Sequence, residues 1–187
     1  GLAPYGSPDP ELKRFFEEFI VLLPDGSYRI DGSMVHWVVD YLRDPIFNEK
    51  AHRKLGAPPR PHGSLPGDRE ADIAFNFQAR IEEAIFHILR HLQKTTGEKR
   101  LTLSGGVSLN CKANGKILAN TDFEEVWLQP SSHDAGGSMG AALFAWQVHT
   151  DFKGDRWRMA DPYLGPEYTT EQIRNELDKS KMHYEEA

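Results

Sequence analysis

Two glycine-rich turns contain small and polar residues that suit nucleotide binding. These residues are Ser104, Gly105, Gly106 and Asn110 in the first turn, and Gly136 and Gly137, with Asp134 just before them, in the second. Consecutive residues without a Cβ let a backbone approach a nucleotide closely, and the N–H groups at the start of a helix attract anions. The asparagine adds both a donor and an acceptor. The first turn lacks the Gly-Lys-Ser/Thr of a phosphate loop, and its spacing does not fit the dinucleotide fingerprint. We predict that the six glycine, serine and asparagine residues contact a nucleotide.

The carboxylate of Asp134 suggests a metal ligand, because it stands just after a predicted strand and beside a glycine pair. Capping the following helix is the commoner role of an aspartate in this position, so both interpretations stay open. The glycines likewise have a second interpretation, as tight turns from strand to helix. His133 could assist proton transfer, but we interpret it as a histidine of a surface loop.

Three further residues have ligand-forming or nucleophilic side chains for which we favour a structural role. His87 and His91 are four residues apart on a predicted helix and could share a metal, but we place them on the flank of its buried stripe of Ile81, Ala84, Ile88 and Leu92. No acidic third ligand is evident nearby in the sequence. Cys111 has no readable His–Asp arrangement around it, so we predict a buried thiol.

The elements that must position the two turns form an α/β pattern. Apolar residues recur at helical spacing over residues 70–95, which predicts a long amphipathic helix. Predicted strands at 101–103 and 126–128 are each followed by a glycine turn and a predicted helix, at 109–119 and 137–148. Short apolar strands predict a parallel sheet that helices flank and bury on both faces. The two turns would then meet at the carboxyl ends of the strands, where ligands bind in such sheets.

The flanking segments are less regular. We predict a helix from Pro10 to about Leu22, a short hairpin around 27–32, helical residues at 34–43, an exposed irregular connection at 44–68, and a polar helix at 170–180 with threonines suited to capping it. A cluster of Trp146, Arg156, Trp157 and Arg158 could contact a partner domain. We divide the chain into a helical and irregular segment at 1–69, an α/β nucleotide-binding core at 70–150 and a tail at 151–187.

Composition excludes several classes of protein. The 187 residues carry a formal net charge of −6, unlike the basic surface of a nucleic-acid binder. The apolar runs are far shorter than a bilayer span, so we expect no membrane association. A single cysteine excludes an internal disulfide and favours a reducing compartment, which predicts a cytoplasmic location. The chain opens on Gly1 rather than Met, and we expect it to be a piece of a longer protein.

Several segments in order resemble the O-carbamoyltransferase family, which includes nodulation and antibiotic-tailoring enzymes. The resemblance rests on Leu103 to Cys111, on Gln129-Pro130, on Asp134 to Ala142, on the opening Gly1 to Gly6, and on Leu164 to Glu167. It implies the fold of actin, sugar kinases and heat-shock ATPases, of which this chain would form the C-terminal half of one domain. That version of the fold is shared with the tRNA threonylcarbamoyl-adenosine enzymes.

The resemblance also implies a reaction. A carbamoyl group would move from carbamoyl phosphate, with ATP and through carbamoyl-adenylate, to the hydroxyl of a small molecule or sugar. Gly105, Gly106 and Asn110 would contact the nucleotide, and Asp134 would share a divalent metal, of the iron type, with two histidines outside this chain. A C-terminal domain that forms the adenylate is expected elsewhere, so this piece alone would be inactive. The alternatives are an ATPase or kinase of the same fold and a non-catalytic nucleotide-binding module.

Overall fold

The computed structural model describes residues 1–36, 46–61, 63–151, 153 and 158–185. It divides the chain into two compact units, Gly1–Gly137 and Ser138–Ala187. The larger unit contains both glycine-rich turns. Two predictions of the sequence analysis fall largely outside the described residues: most of the helix at 34–43, and the Arg156 and Trp157 part of the tryptophan cluster. The proposed division at residues 69 and 150 stays a prediction.

The first helix, α1 (Pro10–Phe19), begins as the sequence predicts. The Oδ1 atom of Asp9 accepts hydrogen bonds from the N–H groups of Glu11 and Leu12, at 2.8 and 3.1 Å, and Pro10 occupies the first helical position. Its buried face supplies the centre of the first hydrophobic core. That core comprises Leu12, Phe15, Phe16, Phe19, Ile20, Met34, Ala51, Leu55 and Ala84. The helix ends three residues earlier than predicted, because the chain enters a strand at Ile20.

A hairpin follows, and then a helix that the sequence analysis missed. Strands β1 (Ile20–Leu22) and β2 (Tyr28–Ile30) pair antiparallel. Within the connection predicted to be irregular lies α2 (Glu49–Leu55), whose first N–H groups are capped by Asn48. Two of its residues, Ala51 and Leu55, belong to the first core. The expectation of an irregular connection is therefore wrong over these residues, since the abundant prolines around them masked a short capped helix.

The long helix α3 (Asp68–Thr96) confirms the strongest periodic signal of the sequence. Its buried residues differ from the predicted stripe: they are Ala71, Asn76, Glu82, Ala84, Phe86 and Leu89. Ile88 and Leu92 are 37% and 42% exposed. The helix contacts two separate cores along its length, and for that reason no single stripe describes its burial. Ala84 lies in the first core, whereas Phe86 and Leu89 lie in the second.

Strands β3 (Arg100–Leu103) and β4 (Glu125–Leu128) form the predicted parallel pair, with Leu101 opposite Val126 and Thr102 opposite Trp127. The inward residues pack with α3 in the second core. That core comprises Phe86, Leu89, Leu101, Ile117 and Phe123, with Leu103 and Val126 against it. The opposite face is exposed, and Trp127 is 47% accessible. The expectation of burial on both faces is wrong here: the side chains alternate, and helices of this unit cover one face.

The segment between β3 and β4 is not the single helix that composition indicated. It comprises a 3-10 turn at Gly106–Leu109 and two one-turn helices, α4 (Cys111–Asn114) and α5 (Ile117–Asn120). Asn110 separates the 3-10 turn from α4 by capping α4, and Gly115 and Lys116 separate α4 from α5. Helices of four residues are too short for a helix macrodipole to act at the first glycine turn, since its strength requires aligned peptides over several turns.

The smaller unit contains α6, which starts at the unit boundary (Gly137–His149), and α7 (Thr170–Lys179). Both helices confirm the sequence prediction. Thr169 and Gln172 close a capping box at the start of α7, with each side chain bonded to the other's backbone N–H at 3.2 and 2.8 Å. Across the described ranges, no helix has both the length and the apolar character required to span a bilayer.

Candidate functional site

The two glycine-rich turns lie side by side at the carboxyl end of the parallel pair. The N–H of Gln129 donates to the carbonyl of Leu103 at 3.3 Å, which extends the ladder past the strand ends. Beyond it, the N–H of Gly105 donates to the carbonyl of Ser132 at 2.6 Å. Two turns that are almost 30 residues apart in sequence are thus joined directly by a backbone hydrogen bond. Parallel pairing is the cause, because it brings both carboxyl ends to one edge.

The glycines of these turns have distinct structural requirements. Gly105 has φ +97°, in the region that favours glycine. A Cβ on Gly136 would lie 2.0 Å from the carbonyl oxygen of Ser131, so the two backbone segments pass too closely for any side chain. By contrast, Cβ atoms on Gly106 and Gly137 would meet nothing within 4 Å. The space beside Gly106 is therefore open to a ligand.

Asn110 is held by the protein rather than left free at the first turn. Its Oδ1 accepts from the N–H of Ala113 at 3.1 Å and from Nε2 of Gln78 at 3.0 Å. Its Nδ2 donates to Oε1 of Gln78, also at 3.0 Å. The expectation that Asn110 offers both a donor and an acceptor is wrong for this structure, since both lone pairs of its oxygen are occupied.

The partners of Asn110 extend into α3 and were missed by the sequence analysis. Nε2 of Gln78 also donates to Oε1 of Glu82 at 2.9 Å, and Lys116 donates to Oε2 of the same carboxylate at 2.5 Å. Glu82 is only 7% exposed. Burial raises the pKa of its carboxyl group, but the hydrogen bonds from Gln78 and Lys116 outweigh burial and hold that pKa below its ordinary value of 4.5. The sequence signal that could have found these residues is the spacing of Gln78 and Glu82, two polar residues four apart on an amphipathic helix.

Asp134 lies two residues beyond Ser132 and is exposed, as the first residue of a 3-10 turn (Asp134–Gly136). The capping role goes instead to His133, whose Nδ1 accepts from the N–H of Ala135 at 3.3 Å. Among the described residues, none forms a hydrogen bond or ion pair with the Asp134 carboxylate, which leaves it available as a ligand. No group of three or more metal-ligating side chains converges anywhere in the described part of the chain. Asp134 accordingly fits as one ligand of a shared site and not as a complete site.

The second turn also contains a buried hydroxyl group, that of Ser132. Ser132 is 7% exposed, and its Oγ has no hydrogen-bond partner within the described ranges. A buried polar atom left without a partner costs about 1–3 kcal/mol, so such atoms concentrate at sites with another purpose. Ser132 is also the residue whose carbonyl holds Gly105.

The histidines of α3 have structural contacts, which agrees with the interpretation favoured above. Nε2 of His87 donates to the carbonyl of Leu23 at 2.8 Å, and the ring of His91 packs beside Gly26 in the hairpin turn. Cys111, however, is an exposed free thiol, so its predicted burial is wrong. It follows the capping residue Asn110 and stands in the first turn of a very short helix, where little covers it.

The turns together present backbone donors beside an open volume. Neither the N–H of Gly106 nor that of Val107 donates to any residue that the structure describes, as is usual for the first residues of a helical turn. With the remaining N–H of Asn110, these groups suit a ligand rich in acceptor atoms, such as a phosphate or a nucleotide. The arrangement can bind and orient such a ligand.

The chain resembles nodulation proteins over most of its length. It is 35% identical to Nodulation protein NolNO of Sinorhizobium fredii over 178 residues, or 95% of this chain and 24% of that protein. It is 36% identical to Nodulation protein NolO of Bradyrhizobium diazoefficiens over 92% of this chain and 28% of that protein. An uncharacterized protein of Synechocystis sp. is 35% identical over 95% of the chain and 29% of its own length. The chain thus spans between 24 and 29% of these relatives.

One family description covers the part of the molecule in which both turns lie. The family described as Carbamoyltransferase N-terminus matches residues 1–143, which include α1 to α5, both strand pairs and the start of α6. With three quarters of the chain matched, the resemblance drawn from the sequence motifs is confirmed, and the chain belongs to the carbamoyltransferase family.

Proposed function

We propose that this chain is part of an ATP-dependent O-carbamoyltransferase. It would lie in the domain that moves a carbamoyl group from carbamoyl-adenylate to an acceptor hydroxyl. The observation that carries the proposal is the backbone bond from Gly105 to Ser132, beside the open volume at Gly106. Family membership supports carbamoyl transfer, and the paired turns support an adenylate as the bound form.

The fold proposed for the whole domain is that of actin, sugar kinases and heat-shock ATPases. Its support is the parallel pair β3 and β4, the helical crossover between them, and the two glycine turns at one edge. In open α/β sheets, that edge is where ligands bind. The present chain would supply one edge of the nucleotide cleft, and the rest of the full-length protein would supply the remainder.

Each residue of the two turns has a proposed role. The N–H groups of Gly106 and Val107 would bind phosphate oxygens, and Asn110 would donate its remaining N–H. Ser104, Gly105, Gly136 and Gly137 would shape the backbone around the nucleotide. Holding the adenylate in one orientation makes attack by a bound hydroxyl effectively intramolecular, which is worth several kcal/mol. The acceptor hydroxyl would release its proton to solvent as its oxygen bonds to the carbamoyl carbon, and the bond from that carbon to the phosphate oxygen of AMP would break.

Asp134 would supply one carboxylate to a divalent metal, of the iron type, whose two histidine ligands lie outside this chain. An exposed carboxylate that forms no hydrogen bond or ion pair with any described residue fits that role, and an oxygen ligand combined with two imidazoles suits iron(II). Such a metal, when bound, supplies a Lewis acid for an oxygen that gains charge. The proposed partners are carbamoyl phosphate and a hydroxyl-bearing small molecule or sugar, and the proposed location is the cytoplasm.

Gly106→Ala in the full-length protein tests the nucleotide site. The new methyl group would have no atom of the described residues within 4 Å, so the folded state should be unaffected, whereas it would occupy the space proposed for the nucleotide. We expect hydrogen-exchange protection by ATP, measured in the peptide spanning residues 104–113, to require at least about tenfold more nucleotide. Gly115→Ala is the matched control, since Gly115 has helical dihedrals and a Cβ there would make an ordinary 3.5 Å contact. Unchanged protection in Gly106→Ala would refute the site.

Turnover separates the proposed function from its rivals. A carbamoyltransferase should release AMP only when carbamoyl phosphate is present, because the adenylate forms first. An ATPase or kinase of the same fold would act without carbamoyl phosphate and would release ADP. A non-catalytic module would show nucleotide protection with no product at all.

A further inference from the structure

We propose that Gln78 is a positioning residue, which fixes the amide of Asn110 so that only a single N–H remains for the ligand. This inference rests on the proposed function, since it specifies how one residue of the nucleotide site acts. It assigns roles to Gln78, Glu82 and Lys116 on elements that form no part of the glycine turns.

The four side chains form a continuous chain of hydrogen bonds. Lys116 donates to Oε2 of Glu82, and Oε1 of Glu82 accepts from Nε2 of Gln78 at 2.9 Å. Gln78 and Asn110 then form a reciprocal amide pair, with both N···O distances at 3.0 Å. The N–H of Ala113 completes the arrangement on Oδ1 of Asn110. The bond between Lys116 and Glu82 and the amide pair of Gln78 and Asn110 join α3 to the segment between β3 and β4.

The ionised carboxylate of Glu82 sets the orientation of both amides. An ionised carboxylate accepts hydrogen bonds and donates none, so Gln78 must turn its NH₂ group toward Glu82. Its second N–H then points to Oδ1 of Asn110, and its oxygen accepts from Nδ2 of Asn110. A flip of either amide would place oxygen against oxygen. Glu82 therefore acts on Asn110 through Gln78, without touching it.

The Asn110 amide has one hydrogen-bonding group available for a ligand, a donor. Its oxygen accepts two hydrogen bonds, from Gln78 and Ala113, and is saturated. Its NH₂ group donates one N–H to Gln78, and no described residue accepts the other. The ligand atom that it contacts must consequently be an acceptor, such as a ribose or phosphate oxygen or an unprotonated ring nitrogen of adenine. An exocyclic amino group would find no acceptor on Asn110.

The Glu82 carboxylate stays ionised at neutral pH because the hydrogen bonds from Gln78 and Lys116 outweigh its burial and hold its pKa below the ordinary value. Lys116 donates to it directly, and Lys112 on α4 lies close enough to stabilise its charge. Glu82 and Gln78 are themselves neighbours on one face of α3. Together with Asn110, these are the charged and polar groups that the described part of the chain places near position 78.

Two substitutions of Gln78 in the full-length protein test the inference. Gln78→Leu removes both links to Asn110, and we expect ATP protection of the 104–113 peptide to require about tenfold more nucleotide at every pH. Gln78→Glu places a second carboxyl group against Glu82, and the negative charge of Glu82 raises the pKa of the new group. When ionised it cannot donate to Asn110, whereas when protonated it regains one donor. At pH 8, Gln78→Glu should therefore need about tenfold more ATP than the wild type for the same protection. Near pH 5.5, this difference between the variant and the wild type should become small.

The outcomes distinguish this inference from the proposed function. No protection of the wild type by ATP would overturn both. If ATP protects the wild type and both variants at the same nucleotide concentration, the role of Gln78 is overturned and the proposed function stands. If Gln78 had only a structural role, Gln78→Glu would lower the midpoint of thermal unfolding. It would also weaken ATP binding by the same factor at pH 8 and at pH 5.5, which would overturn the inference. That variant alone decides the matter if Gln78→Leu does not fold.

Discussion

The close approach of Gly136 to Ser131 makes Gly136→Ala the sharpest perturbation of the junction between the two turns. The added Cβ would lie 2.0 Å from the carbonyl oxygen of Ser131, and real Cβ contacts below 3.0 Å are essentially absent, so that backbone must move by at least about 1 Å. The next peptide carries the Ser132 carbonyl that accepts from Gly105 at 2.6 Å. Relieving the overlap costs about 1–3 kcal/mol, and losing the hydrogen bond costs about 1 kcal/mol more.

The exchange rate of the Gly105 amide reports this loss directly. A local cost of about 2–4 kcal/mol corresponds to exchange that is faster by roughly 30-fold or more, measured by hydrogen exchange on the full-length protein. Gly137→Ala is the matched control, because its Cβ would meet nothing and its dihedrals of −61° and −36° are helical. Alanine there should leave the exchange of Gly105 unchanged and favour the helix by up to about 1 kcal/mol. Equal exchange of Gly105 in both variants would show that the two turns are not coupled as described.

Two further predictions concern charge. Hydrogen bonds from the N–H of Leu12 and from Arg69 hold the pKa of Asp9 below its usual value of 3.8, so its stabilising contribution is complete above that value and is lost as pH falls through the lower folded pKa. Asp9→Asn should flatten the acid limb of a plot of unfolding free energy against pH, and an unchanged slope would contradict the assignment. Asp134→Ala should lower the metal content of the full-length protein and slow carbamoyl transfer, while carbamoyl-phosphate-dependent pyrophosphate release continues. Equal metal content in mutant and wild type, by elemental analysis, would remove Asp134 from the ligand set.

Local signals in the sequence predicted the elements that depend on short-range physics. The cap at Asp9, the proline after it and the period of α3 each follow from a few neighbouring residues. The capping box at Thr169 and the strands at 101–103 and 126–128 are of the same kind. Their parallel pairing agrees with the predicted order of strand, helix and strand, since parallel strands need a crossover connection of about a dozen residues or more. Adjacent turns at one edge of the sheet follow from that pairing.

Tertiary contacts decided what those signals could not. Asn48 caps α2 within a proline-rich stretch, but that helix persists because Ala51 and Leu55 join a core assembled from distant segments. The predicted helix at 109–119 divides because Asn110 caps a new turn while Gln78, 32 residues earlier, holds its amide.

What the sequence determined by itself is thus the family, the long helix α3, the two parallel strands and the edge at which the glycine turns meet. The availability of each polar group was settled only in three dimensions. Asn110 lost its acceptor to Gln78, Glu82 became a buried charge with Lys116 beside it, and Asp134 was left exposed. The physical reason is that donors and acceptors are consumed by whichever partners the packing brings within about 3 Å, and residue spacing along the chain does not contain that information.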